Sequence, residues 1–383
     1  MTDRFFIEPL DVLILRGNKL FGEAGSYGQS LIPPWPSLAA GALRSALLVH
    51  DGIDLTAFAR GEAGHYHPTI GTRDKPGEFA VLGFQLARRR NGRVETLHPI
   101  PADLDVVDHR EHHRDNHRFE LRRLTPKNLA AGIESSSPLA QLAVLSSDAQ
   151  AKPAKGLWLI QAGFADYLTG IVPAPETLVR SEELWKIDPR VGVALDGTYG
   201  RARDGALFTT ETVAFGDGVG FVVAAHGVDG LPDSGTLRFG GDGRAAGWQR
   251  IGHKSGAPNL VEIAQNGRCR LVLTAPGLFP DGWLPPGMTS DDGEYRFELH
   301  GVRARVSCAA VPRAGVVSGW DLAHRQPKPA QRAVPAGSVY WLEDLEATPE
   351  ALGKLAVSGL WPATGDNAVR RAEGFNRFVF AHY

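Results

Sequence analysis

A chain of 383 residues, 43% hydrophobic and 22% charged, has the composition of a globular protein and length enough for two domains. Its 41 Lys and Arg against 43 Asp and Glu give a formal charge of −2, which excludes a uniformly basic nucleic-acid binder but leaves room for a local basic groove. Cys269 and Cys308 are too few for a disulfide framework or a zinc set and fit a reducing cytosol; residues 1–15 make no signal peptide, and no run reaches the ~20 apolar residues of a membrane helix.

Residues 5–15 read as a strand, or as two strands broken at Pro9. A glycine-punctuated loop carries Arg16, Asn18 and Lys19. Pro33-Pro34-Trp35-Pro36 then leads into Ser37, read as the N-cap of a helix. Leu38, Ala39, Ala42, Leu43, Ala46 and Leu47 form its apolar face, with Arg44 off that face. Residues 79–86 form the next strand, followed by Arg88, Arg89, Arg90 and Arg93. Residues 101–155 are polar and weakly periodic, which predicts a partly mobile insertion. An amphipathic stretch covers 157–171, and 190–215 reads as a β-hairpin whose loop, Asp196 to Gly205, holds Tyr199, Arg201 and Arg203. Later strands are expected at 219–225, 235–239, 269–274, 295–307 and 338–343, with a last strand near the end of the chain. Thr348 as N-cap with Pro349 at the first helical position marks one clear helix. Strands with a few interspersed helices in each half indicate an α+β fold with two open sheets.

Four groups of residues carry chemistry. Phe239-Gly240-Gly241-Asp242-Gly243-Arg244, with Trp248 beyond it, suits either a tight turn or an RNA contact in which backbone N–H groups meet a phosphate and Trp248 stacks a base. Gly-Gly-Asp also resembles the metal hairpin of palm polymerases, but two-metal chemistry needs convergent carboxylates and Gly243 stands at the second acid position. On a helix, His109, His113 and His117 would share a face and hold zinc; the surrounding polarity favours a solvated insertion instead, and acid–base RNA cleavage by His112 or His113 is a further reading. His50-Asp51 resembles the His-Asp pair of metal phosphohydrolases, but that chemistry needs further His and Asp ligands, and a lone dipeptide at a helix end reads as structural. Arg16, Asn18 and Lys19, with Trp35, Arg44, Arg201 and Arg203, have the cations and aromatic platforms of a single-strand groove. The proline-stiffened segment Trp320 to Arg332 adds His324, Arg325 and Lys328.

These pieces together resemble a known family. Glu8-Pro-Leu-Asp-Val-Leu-Ile-Leu-Arg-Gly17, Pro33-Pro-Trp-Pro-Ser-Leu-Ala-Ala-Gly-Ala-Leu-Arg44, Val191-Gly-Val193 and Ala202-Arg-Asp-Gly-Ala-Leu-Phe208 are similar to segments of the third subunit of Cmr complexes. So are Phe239-Gly-Gly-Asp-Gly-Arg244, Pro276-Gly-Leu-Phe-Pro-Asp-Gly-Trp-Leu-Pro285, Val317-Ser-Gly-Trp-Asp-Leu322 and Ala333-Val-Pro-Ala-Gly-Ser-Val-Tyr340, in the same order. Those complexes are the type III-B CRISPR RNA-guided effectors. The resemblance implies two ferredoxin-like domains of the RAMP superfamily, here 1–215 (with the insertion and a thumb-like hairpin at 190–215) and 216–383 (with the glycine loop 240–247). It implies a non-catalytic, cytoplasmic subunit that needs no metal or cofactor. Its partners would be the 5′ handle of the CRISPR RNA, the guide–target duplex, the large polymerase-like subunit and the backbone RAMP subunits. The RNA-contacting residues expected on this basis are Arg16, Asn18, Lys19, Trp35, Ser37, Arg44, Arg190, Arg201, Arg203, Gly240, Gly241, Gly243, Arg244, Trp248, Lys254, Lys328 and Arg332. A RAMP endoribonuclease that cuts guide precursors and a purely structural bridge remain the alternatives.

Overall fold

The computed structural model describes every residue except 1, 18–26, 63, 74, 111–116, 131, 147–152, 253–257, 292, 322–325 and 363–366. The chain begins with β1 (Thr2–Pro9), β2 (Tyr27–Gly28), α1 (Pro36–His50), α2 (Leu55–Arg60), β3 (Ala80–Arg90) and β4 (Arg93–Pro99). Two hairpins follow: β5 (Leu104–Arg110) with β6 (His117–Arg123), and β7 (Thr125–Asn128) with β8 (Gln141–Val144). Next come β9 (Leu157–Ile160), α3 (Gln161–Leu168), β10 (Leu178–Arg180) and α4 (Ser181–Leu184). A long hairpin, β11 (Trp185–Leu195) and β12 (Ala202–Phe215), precedes β13 (Val219–His226), β14 (Ser234–Arg238) and β15 (Ala245–Ile251). The remaining chain forms α5 (Leu260–Asn266), β16 (Cys269–Leu273), β17 (Met288–Asp291), β18 (Glu294–Leu299) and β19 (Val302–Ala310). Four short strands, β20 (Gly315–Val317), β21 (Trp320–Asp321), β22 (Gln326–Pro327) and β23 (Gln331–Ala333), lead to β24 (Val339–Glu346), α6 (Pro349–Ser358), α7 (Ala368–Ala372) and β25 (Phe378–Ala381).

The fold is α+β, dominated by two antiparallel sheets. The first has the order β10-β9-β4-β3-β13-β1-β15-β14 and the second β17-β18-β19-β24-β16-β25. Alternation sorts their side chains: on β1, Phe5 and Ile7 face a core under α1 with Leu43 and Leu47, while Phe6 faces the other side with Ala87 and Val222. In the second sheet Leu271, Leu342 and Phe380 pack under α6, and Val272, Val339 and Trp341 face the opposite way.

Several expectations change. Of the two readings of 5–15, the break at Pro9 is the one observed, but the chain beyond it leaves the sheet and Leu13 makes only an isolated bridge to Val213. Trp35, not Ser37, takes the N-cap position of α1, because Pro36 already has the backbone angle that a first helical residue needs. The 295–307 strand is two strands, turned at His300 and Gly301, both at positive φ. Strands β13 and β15 both pair with β1, so the first sheet continues to Ile251, past the 215/216 boundary read from the sequence. The described part of 101–155 holds two hairpins rather than an unstructured insertion, with Leu104, Val106 and Val107 of β5 and, just before β8, Leu139 buried. Thr348 does cap its helix, its hydroxyl accepting from the Ala351 N–H at 3.2 Å.

The two sheets meet through α3. Leu104, Leu159, Phe164, Tyr167 and Leu168 from the first half pack on Val272, Cys308, Val339, Trp341 and Ala381 from the second. A fully buried ion pair lies inside this layer. The Arg270 guanidinium donates to Asp103 Oδ2 at 2.6 Å, to the Tyr167 carbonyl at 3.0 Å and to the His382 carbonyl at 2.9 Å. The Tyr167 hydroxyl donates to the other Asp103 oxygen at 2.7 Å, and the guanidinium lies over the Tyr167 ring. Burial next to the Asp103 charge pushes the Tyr167 hydroxyl well above its ordinary value. On the first-lobe side of the same layer, His98 stacks on Phe164 at 3.9 Å, with Nε2 3.1 Å from Gln161 Oε1. Burial pushes its pKa down to about 4.

Removing one member of a buried ion pair strands the other charge. Arg270→Met is therefore expected to cost about 3–5 kcal/mol, read as a lowered urea midpoint. His98 gives a pH dependence. Its folded pKa lies below the ordinary ~6.5, so the unfolded chain takes up a proton that the folded chain refuses as pH falls from ~6.5 to about 4. Stability should fall across that window by about 3 kcal/mol, and His98→Asn should flatten that part of the profile in urea titrations at pH 7 and 4.5.

Candidate nucleic-acid interface

The segment after β1 is a crossover that ties three predicted features together. Asp11 turns the chain by accepting from its neighbour, the Val12 N–H, at 2.7 Å. Leu13 exchanges two backbone hydrogen bonds with Val213 of β12, at 2.9 and 2.8 Å. The Ile14 carbonyl accepts from the Gly241 N–H at 2.8 Å, and the Leu15 carbonyl from Leu31 at 2.7 Å. Arg16, exposed, pairs through its backbone with Ser30.

The glycine loop is explained by this crossover. Gly240 has φ +90°, and a Cβ there would stand 3.0 Å from the Ile14 carbonyl oxygen. The Gly241 N–H is committed to Ile14, so it is not held out to an anion. Arg244 is paired with Asp11 at 2.8 Å. Trp248 is buried and donates to the Pro232 carbonyl at 3.2 Å; its ring covers Gly235, where a Cβ would meet it at 2.5 Å. The base-stacking role expected of Trp248 is therefore corrected: its cross-strand glycine makes room for the indole inside the sheet. Asn18, Lys19 and Lys254 lie outside the described residues.

The long hairpin is docked at its base and open elsewhere. Glu211 accepts from the Tyr27 hydroxyl at 2.6 Å and from the Ser30 N–H at 2.7 Å, and its carbonyl accepts from the Ser30 hydroxyl. The Glu211 carboxylate raises the Tyr27 pKa, first through that hydrogen bond. Farther out, Phe208 lies over Gly192, its cross-strand partner. The turn is set by Asp196, whose carboxylate accepts from Thr198 and Tyr199 N–H groups, so the loop spans 196–201 and is shorter than expected. At the tip Tyr199 is 73% exposed with the Arg201 guanidinium 5.1 Å from its ring centre. Arg201 and Arg203 are exposed and, among the described residues, unpaired with any carboxylate. Arg190 is held by Asp188 at 3.0 Å. Ile187, Val191 and Val193 with Leu207 opposite form an exposed apolar strip on one face.

The hairpin's free edge is blunted. Val213 bonds Leu13, so its backbone groups point away from β11, and so do those of Glu211 and Thr209. Their partners Ile187, Pro189 and Val191 therefore point their backbone groups to the open edge, where Pro189 has no N–H to offer. Proline at such a position blocks another strand from adding.

A second cluster lies where α1, the 315–333 segment and α7 meet. Glu373, 5% exposed, pairs with Arg370 at 2.9 Å and with Lys328 at 2.8 Å. It also acts on half-buried Arg44, whose pKa is lowered by burial and partly restored by this carboxylate. Arg370 further donates to Gln331 Oε1 at 3.0 Å and lies over the Phe375 ring. Trp35 packs on the adjoining cluster of Leu278, Val317, Ala333, Trp361 and Phe375. Ser37 sits in the first turn of α1, and Arg332 is exposed on β23.

Sequence reasoning found the cations and missed the acids Asp11, Asp188 and Glu373 that fix Arg244, Arg190, Lys328 and Arg370, as well as Glu211, which holds Tyr27 and Ser30; only Glu373, at i+3 from Arg370, had a spacing signal. Of the three histidines expected on one helical face, His109 and His117 lie on strands and His113 lies outside the described residues. His109 lies on β5, its Nε2 2.9 Å from Glu120 diagonally across on β6, and Arg122 first, then His109, pulls the Glu120 carboxyl down to about 2. His112 and His113 lie outside the described residues, as do His324 and Arg325. Asp51 accepts from the buried His67 rather than joining a metal set with His50. Among the described residues no group of three His, Cys, Asp or Glu side chains is placed to hold a metal.

Replacing Glu211 by Gln keeps the shape but removes the charge at the hairpin base. Amide exchange at Leu13 and Val213 should then quicken by about tenfold, measured by hydrogen–deuterium exchange.

The chain matches the family model of CRISPR-associated protein (Cas_Cmr3) over residues 5–380, and it belongs to that family. No curated protein matches it. Among solved structures it is similar to a chain of the type III-B Cmr-beta complex bound to cognate target RNA, with 16% identity, TM-score 0.50, and coverage of 98% of this chain and 96% of that one. A second such structure, bound to cognate target RNA and AMPPnP, gives 15% identity, TM-score 0.49, and coverage of 98% and 95%.

Proposed function

We propose that this chain is the non-catalytic RNA-binding subunit of a type III-B CRISPR effector in the cytoplasm. It holds the 5′ handle of the CRISPR RNA and bridges the large polymerase-like subunit to the backbone RAMP subunits. The observation that carries this reading is the family match across 5–380 together with a docked, blunted hairpin that presents Arg201, Arg203 and Tyr199 at its tip. The RAMP reading is supported by strand order. In the first sheet β15-β1-β13-β3 lie in the fourth-first-third-second order of a βαββαβ unit, and in the second sheet β25-β16-β24-β19 do the same. The first unit keeps its first helix, α1, and the second keeps its second, α6.

Single-stranded RNA is gripped by cations on phosphates and by flat or apolar side chains on bases. The hairpin offers both: cations and Tyr199 at the tip, and the strip of Ile187, Val191, Val193 and Leu207 along one face. With Pro189 on its edge, it resists pairing with a protein strand and stays available to nucleic acid. Arg16 lies on the crossover at the hairpin's base, so a handle running along that crossover reaches the duplex that the hairpin contacts.

Binding of handle RNA annealed to a target strand is expected to weaken with salt, with a slope near −0.7 per phosphate contacted. Arg201→Glu with Arg203→Glu should weaken binding by about tenfold or more in fluorescence anisotropy, and Arg16→Glu should weaken binding of the handle alone. Affinities equal to wild type in all these variants would overturn the reading. A defined cut of repeat RNA in EDTA would favour the endoribonuclease, and no handle crosslink in the assembled complex would favour the structural bridge.

A further inference from the structure

The first sheet ends on one side in β10 and on the other in β14. β10 is three residues long, and its Arg180 N–H is taken by the Glu183 carboxylate at 3.0 Å. β14 has five residues and no such stopper. Its phase against β15 is fixed at both ends: the Arg250 N–H donates to the Asp233 carbonyl at 2.6 Å, and the Phe239 N–H to the Arg244 carbonyl at 2.8 Å. Hydrogen-bonded pairs alternate along an antiparallel ladder, so Gly235 and Leu237 also bond inward, and the backbone groups of Ser234, Thr236 and Arg238 point to the open edge. All three residues are exposed, and among the described residues no backbone group answers them. The devices that blunt an edge are missing: 234–238 holds no proline, and the pairing with β15 has no bulge. The long hairpin, with Pro189 on its free edge, uses one of those devices.

We propose that the β14 edge seats an extended segment of a protein partner, added beside β14 as a further strand of the first sheet, with an acidic residue opposite Arg238. Three residues that offer N–H and C=O groups in alternation, at strand spacing, are matched by another strand. A phosphate takes N–H groups but is repelled by the carbonyl oxygens that alternate with them. Arg238 is exposed and has no carboxylate partner among the described residues, so a cross-strand acid gains a pair there. A second copy of this chain fits less well: paired about Thr236, the register that uses the whole strand, it sets Arg238 against Ser234 and leaves the charge unanswered. The inference rests on the function proposed above, under which the partner is a protein subunit of the same effector.

The test uses the full chain assembled with the other subunits of its complex. Hydrogen–deuterium exchange of the segment 233–239 should slow by about tenfold or more on assembly. Thr236→Pro removes one outward N–H and leaves the bonds to β15 in place; it should weaken incorporation into the complex by about tenfold, while Thr236→Val should not. Arg238→Glu, a second variant should the first fold poorly by circular dichroism, should weaken incorporation about threefold or more at low salt and less at high salt. Both variants should bind handle RNA as wild type does. Assembly with unchanged exchange, or variants incorporated as well as wild type, overturns the inference and leaves the proposed function standing; a chain that does not join the complex overturns both. Loss of handle binding in Arg238→Glu with incorporation intact would assign the edge to RNA, and self-association of the isolated chain that Thr236→Pro abolishes would assign it to a second copy; either result overturns the protein partner.

Discussion

The buried ion pair of Arg270 with Asp103 is the interaction on which the arrangement of the two sheets depends. Two charged groups sealed between sheets are tolerated only when every oxygen and N–H is answered. Here Asp103 receives Arg270 and Tyr167, and Arg270 spends its other donors on two carbonyls. An apolar layer alone would let the sheets slide, because apolar contact has no preferred register. The directional set Asp103–Arg270–Tyr167 fixes α3 against β16, and with it the relation of the first lobe's loops to the second lobe's.

The same need for balance runs outward from that centre. Arg244 with Asp11, Arg190 with Asp188, and Lys328 and Arg370 with Glu373 are cations that brace loops. In a chain of formal charge −2, these pairings leave Arg201 and Arg203 at the hairpin tip as a local positive spot. The exposed cations at the hairpin tip stand out against this background of pairing rather than by their number.

The hairpin was legible in the sequence because it is local: β-branched residues alternate along 185–195 and an Asp-Gly turn follows. So was α6, whose cap and proline lie within three residues of each other. What could not be read depends on pairing across long separations. Nothing local says that Ala245–Ile251 returns to pair with Thr2–Pro9, or that Gly235 opens the space into which Trp248 sinks. The acids were illegible for the same reason: Glu211 contacts Tyr27 and Ser30 more than 180 residues away. The glycine loop shows the limit of a motif. Gly-Gly-Asp-Gly reads as an anion cradle, yet the close approach of the Ile14 carbonyl accounts for Gly240 without any ligand.

Where RNA can lie follows from what is closed. RNA-binding sheets of the RRM kind display aromatic side chains on an open face. In this chain Phe6 and Val222 on the outer side of the first sheet are 1% exposed, and Val339 and Trp341, on the side of the second sheet that faces α3, are 0% and 1% exposed. These four side chains are covered, so they form no open base platform of that kind. On the proposed function, contact with nucleic acid falls to what projects beyond the sheets, the crossover at Arg16 and the hairpin tip. The first two are tied together by one stretch, which pairs with Arg16 at Ser30 and with Thr209 and Thr210 of the hairpin at Tyr27 and Gly28 before it opens α1. An RNA strand following that stretch from Arg16 would reach the body of the hairpin, whose strands lead on to the cations at its tip.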